Sequence, residues 1–139
     1  MSVARADLTP IDLSSKTATL AAGDIGAILL FVAVGEYTHG YNPLVDVGRV
    51  AGTLAPFLIG WLAVAVFAGL YDSDAPGTLV SSIPVTLLSW IGAVYIAQVL
   101  RATAVFHGDA ALTFAIVSVL VGGALLCLWR GGATVLLDG

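Results

Sequence analysis

One cysteine, one lysine and two histidines are all this chain offers of those residue types, and only 10 % of its residues are charged. Each scarcity excludes something. Cys127 stands alone inside an apolar run, with no disulfide partner and no neighbour at metal-ligand spacing, so it reads as a small buried apolar side chain. His39 and His107 lie 68 residues apart with no cysteine near either, which leaves no metal site and no cofactor ligand set. A soluble domain carries about 25 % charged residues, so this composition cannot cover a water-facing surface. Nine acidic residues against five basic ones give no footprint for nucleic acid.

Enzyme signatures are missing too. No G-x-S-x-G, P-loop, dinucleotide fingerprint or H-E-x-x-H occurs, and no nucleophile sits at helical spacing from a base. The chain is not expected to be an enzyme.

Long uncharged runs are what it does have, with a mean hydropathy of +1.03. Val50–Tyr71 carries no charge at all and as a helix reaches roughly 33 Å, against a hydrocarbon core of about 30 Å. Four such segments are expected, near 24–41, 48–70, 79–101 and 110–128, the last closed by Trp129-Arg130. Ten-residue blocks of apolar/polar alternation are absent, which argues against a β-barrel. Only helices satisfy every backbone amide within such runs. The expected fold is an all-α integral membrane bundle of four transmembrane helices in two hairpins, spanning residues 24–131. Residues 132–139 form a C-terminal tail. Residues 1–23 form a tail or an interfacial helix started by Thr9-Pro10; with polar residues throughout, they lack the apolar core of a cleavable signal.

With four spans both termini share one side, which holds Arg5, Lys16 and Arg130; Arg49 and Arg101 lie on the other. That balance leans towards cytoplasmic termini. The acidic, lysine-poor habit, as in "YDSDAPG" between the second and third spans, is that of proteins working in concentrated salt.

Helices gain little by exchanging lipid for other apolar side chains, so they associate through small residues. Ser82, Thr86, Ser89 and Ala93 form one stripe on the third span; Ala111, Ala115, Ser118 and Gly122 form another on the fourth. A seam between these stripes is expected, with Gly48 and Gly52 as a G-x-x-x-G pair in the second span. Pro56 is expected to kink that span.

At an offset of 68 residues His39-Gly40 overlays His107-Gly108 and Trp61 overlays Trp129, which reads either as a parallel two-hairpin repeat or as coincidence. Glu36, His39, Arg49, Arg101 and His107 collect near the membrane side opposite the termini. They are read as solvated interface residues or, alternatively, as a polar vestibule with arginines for an anion or for Glu36. Asp24 is read as the N-cap of the first span. If that helix starts earlier, in "TATLAAGD", Asp24 is buried and needs a partner.

"FVAVGEYTHG" followed by "LAPFLIGWLAVAV" resembles domain-of-unknown-function family 3054. The shared positions are Asp24, Gly35, Thr38, His39 and Pro56-Phe57-Leu58-Ile59-Gly60-Trp61, with Arg101 and Trp129-Arg130 similar as well. Glu36 departs from the pattern, where a basic residue is expected. The resemblance implies four spans and a plasma-membrane location and brings no activity. Two functions remain in view: a small transporter or channel-like protein acting as a homo-oligomer, and an accessory protein that binds a partner subunit or lipid. Transport predicts that the polar residues converge on a cavity; the accessory role predicts that they spread over the interface.

Overall fold

A computed structural model describes residues 14–72, 77–106 and 111–137. Within them the chain folds into four long helices and no strand: α1 (Ser15–Thr38), α2 (Val47–Phe67), α3 (Leu79–Arg101) and α4 (Leu112–Leu137). All four are long and apolar enough to cross a bilayer, as expected of a multi-pass membrane protein. His107, Arg5 and the Thr9-Pro10 helix start lie outside the described residues.

Local chemistry sets the ends. The Ser14 hydroxyl caps α1 by accepting from the Thr17 amide at 3.2 Å. Thr78 and Ser81 form a reciprocal capping box at the start of α3. Between α1 and α2, the Asn42 amide donates to the Asp46 carboxylate at 3.0 Å, and the Leu44 amide donates to the Asn42 side chain at 2.9 Å.

Two boundaries differ from the sequence expectation. The first helix begins nine residues before Asp24, so Asp24 is not its N-cap. The fourth continues through "GGATVLL" to Leu137, so Trp129-Arg130 lies within a helix rather than at its end. In both cases a single charge that reads as a membrane boundary in the sequence is matched inside the bundle.

The faces sort inversely to those of a soluble protein. Leu30, Leu62, Leu88, Leu120 and Leu128 point outward, while the interior holds Thr53, Ser82, Thr86, Ser89 and Ser118 beside its aromatics. Lipid rewards apolar side chains outside, and small or hydrogen-bonding ones let backbones approach inside. The buried stripe of α1 is Thr17, Leu20, Asp24, Ile28, Phe31, Val32 and Glu36, which share one side of the helix. Gly35 is half-buried on that side and His39 is exposed.

The predicted small-residue seam is redistributed. The α3 stripe is buried as expected, but Ala93 meets α2: a Cβ added at Gly60 would fall 2.5 Å from the Ala93 carbonyl oxygen. On α4, Ser118 and Gly122 receive the Trp90 indole instead of the α3 hydroxyls. Trp90 Nε1 donates to the Ser118 carbonyl at 2.8 Å, where residues Ser118–Gly122 form a π-helical turn. A π turn frees a carbonyl from the helical ladder, and this one takes the indole. A Cβ at Gly122 would meet that ring at 2.4 Å. Ala115 is half-buried, Ala111 exposed, and an added Cβ at Gly48 would meet no atom of the described residues within 4 Å. Gly48 therefore does not mark a close approach; Gly60 does.

Thr86 Oγ1 and Ser82 Oγ are buried without a hydrogen-bond partner among the described residues. Thr86→Val keeps the shape and removes an unmade bond, whose burial costs about 1–3 kcal/mol. A higher melting temperature in mild detergent is expected; a drop of similar size would show that the hydroxyl is bonded after all.

Candidate functional site

Two polar centres are built on the buried stripe of α1, one around Asp24 and one around Glu36. Twelve residues of helix, roughly 18 Å, separate them.

The first centre joins opposite ends of the chain. Asp24 and Arg130 are both fully buried. The guanidinium grips the carboxylate with two donors, Nε to Oδ1 at 2.9 Å and Nη2 to Oδ2 at 2.6 Å. Its third nitrogen, Nη1, donates to the Leu70 carbonyl at 3.0 Å. Tyr71 donates its hydroxyl to Asp24 and in turn accepts from Trp61 Nε1 at 2.9 Å. Leu70 and Tyr71 reach this place because Gly69 adopts φ +81 just past α2, turning the chain back into the bundle. The turn is closed by the Leu70 amide donating to the Ala65 carbonyl at 3.0 Å. Burial first, and the Asp24 carboxylate second, push the Tyr71 hydroxyl above the ordinary phenol range, so it stays a donor. Every strong partner is satisfied within the chain, which makes this centre a clamp between α1, α4 and the α2–α3 connection.

The second centre lies at the other end of α1. Glu36 is 7 % exposed and accepts from Arg49 Nε at 2.8 Å and from the Thr53 hydroxyl at 2.8 Å, both on α2. The Arg49 guanidinium stacks 3.9 Å from the centre of the Tyr41 ring, with its side chain 41 % exposed. Beside Glu36 opens a cavity of about 340 Å³ between α1, α2 and the start of α4. Phe31, Val32, Thr53, Phe114 and Val117 line it, with Glu36 and His39 at the polar end. Its walls are largely apolar. The volume falls at the lower end of the range for small-molecule sites, about 300–1,000 Å³.

Between the two centres sits an aromatic layer. Phe31 lies between Asp24 and Glu36 on α1, and Phe57 lies between Thr53 and Trp61 on α2. Phe31 meets Phe57 edge-on at 5.4 Å, and Phe57 stacks on Trp90 at 5.6 Å. Phe57 also contacts Phe114 of the cavity wall at 5.9 Å.

The polar residues singled out from the sequence distribute as follows. Glu36 and His39 line the cavity, and Arg49 pairs with Glu36 instead of serving as an open anion site. Arg101 is buried with its guanidinium 4.4 Å from the centre of the Phe114 ring. His107 lies outside the described residues. Arg130 is held inside the bundle by Asp24. Sequence reading did not single out Arg130, Tyr71, Thr53 or Tyr41 as site residues. Asp24 and Arg130 could have been matched, because each is a lone charge of opposite sign within an apolar stretch that continues past it. Tyr71 carried no such signal. Among the described residues no group of three or more His, Cys, Asp or Glu side chains is arranged to hold a metal ion.

No curated protein and no solved structure matches the chain. The family described as protein of unknown function (DUF3054) matches residues 21–133, a range that takes in both polar centres, the aromatic layer, all of α2 and α3 and most of α1 and α4. A match over that much of the sequence places this four-helix membrane protein in the DUF3054 family.

Proposed function

We propose that this protein is a small transporter of the plasma membrane, that it works as a homo-oligomer, and that its solute enters at the cavity beside Glu36. One observation carries the reading: a carboxylate more than nine-tenths buried lines a largely apolar cavity of about 340 Å³. Membrane-embedded charges are expensive and are retained where they serve a path or a site. Supporting it, His39 shares the cavity wall with Glu36, Arg49 pairs with that carboxylate from outside the wall, and Arg101 packs on Phe114 of the wall. Phe57, Trp61 and Trp90 are fully buried and fill the middle of the bundle. A route through one copy is therefore blocked at that layer, and the path runs between copies or opens when the layer repacks.

Proteoliposomes loaded with a panel of labelled solutes test this. Flux above empty vesicles is expected, falling by about tenfold in Glu36→Gln and less steeply in His39→Ala and Arg101→Ala. No flux for any solute would overturn the transport reading. Native mass spectrometry in mild detergent should give more than one copy per particle, and a strict monomer would remove the homo-oligomer.

A further inference from the structure

We propose that the Glu36 end of the cavity binds lipophilic organic cations, the carboxylate taking the positive group that Arg49 now supplies. The inference rests on the cavity being the solute-receiving site and names the chemical class of that solute.

Three features select the class. The cavity wall is apolar apart from a few groups, so an occupant must be mostly hydrophobic to replace the lipid or water it displaces. The charged side chain on that wall is an acid, and a buried carboxylate demands a cation. The third feature is what already sits on Glu36. Arg49 offers a planar, delocalised cation, held between the carboxylate at 2.8 Å and the Tyr41 ring at 3.9 Å. Carboxylate plus aromatic face is the recognition pattern of large, weakly hydrated cations. Arg49 is the part of this arrangement that can leave: its side chain is 41 % exposed, whereas that of Glu36 is 9 % exposed. An incoming cation reaches Glu36 from the cavity while Arg49 swings to the membrane surface, where water and lipid phosphates receive it. Thr53 keeps the carboxylate in place throughout, donating at 2.8 Å to the oxygen that Arg49 does not use. Anionic and strongly hydrated solutes are disfavoured on the same grounds.

The test compares two dyes of nearly one shape on the purified full chain in mild detergent at pH 8. One is the N-methylated dimethylaminostyryl-pyridinium cation and the other is its uncharged pyridine parent. Fluorescence titration is expected to show the cation binding at least about tenfold more tightly, the preference of one charge-assisted contact. In Glu36→Gln that preference should vanish while the neutral dye binds as before. Equal affinity of the two dyes for the wild-type protein overturns the proposal, as does a preference that survives in Glu36→Gln. The wild-type comparison decides the matter even if the variant fails to fold. Charge-selective binding without flux would retain the cation site and remove transport. Flux of other solutes without charge-selective binding would do the reverse.

Discussion

Asp24→Ala is expected to be among the most damaging single changes in the chain, costing about 3–5 kcal/mol. It leaves Arg130 fully buried with its counter-charge gone, deep in a bundle surrounded by lipid. The guanidinium would retain only its bond to the Leu70 carbonyl, and Tyr71 would lose its acceptor. Removing both charges is a different experiment. Asp24→Leu with Arg130→Met restores an apolar match, and such replacements of buried ion pairs are often neutral or stabilising. The double variant is expected to recover at least about 2 kcal/mol relative to Asp24→Ala, a non-additivity that reports the stranded charge. Melting in detergent across wild type, both singles and the double supplies the measurement. A double variant as unstable as Asp24→Ala would show that the loss comes from geometry at this site and not from an unpaired cation.

Gly60→Ala is expected to produce the second large loss, about 1–3 kcal/mol, because overpacking a tight contact forces the backbone to shift. The added methyl would sit 2.5 Å from the Ala93 carbonyl oxygen, a backbone atom that cannot rotate aside. Either α2 and α3 move apart, opening the layer where Phe57 stacks on Trp90, or the helices distort locally. Gly48→Ala on the same helix is the control. Among the described residues nothing lies within 4 Å of its added Cβ, and alanine is the better helix former, so it should be neutral or slightly stabilising. Equal losses at the two positions would contradict the assignment of Gly60 as the point of closest approach.

The contrast between these glycines shows what pattern reading can reach. Small residues at helical spacing are visible in a sequence, and the Ser82–Thr86–Ser89–Ala93 stripe is buried. Which helix a stripe meets is not written in it, since Ala93 faces α2 and Trp90 rather than a small side chain enters α4. Gly48 has the spacing of a G-x-x-x-G pair but meets no neighbour among the described residues.

The site was legible in the same partial way. Glu36, His39 and Arg49 stood out as polar residues closing apolar runs. Their joining into a cavity wall and an ion pair depends on α1 and α2 lying side by side. Thr53 is the one hydroxyl of α2, but nothing in its spacing named a partner, and its role exists only through its distance to Glu36. Tyr71 looked like the last residue of an uncharged run; the backbone reversal at Gly69 carries it inward.

Composition and run length alone determined that lipid is this chain's solvent and that four helices cross it, because a chain with so few charges and such long uncharged stretches has no other way to satisfy its backbone. Tertiary structure alone decided that Asp24 and Arg130 are partners and that Glu36 faces a cavity. A charge in an apolar run reads identically at a membrane boundary and in a bundle core, and what separates the two is a counter-charge supplied by a helix more than a hundred residues away.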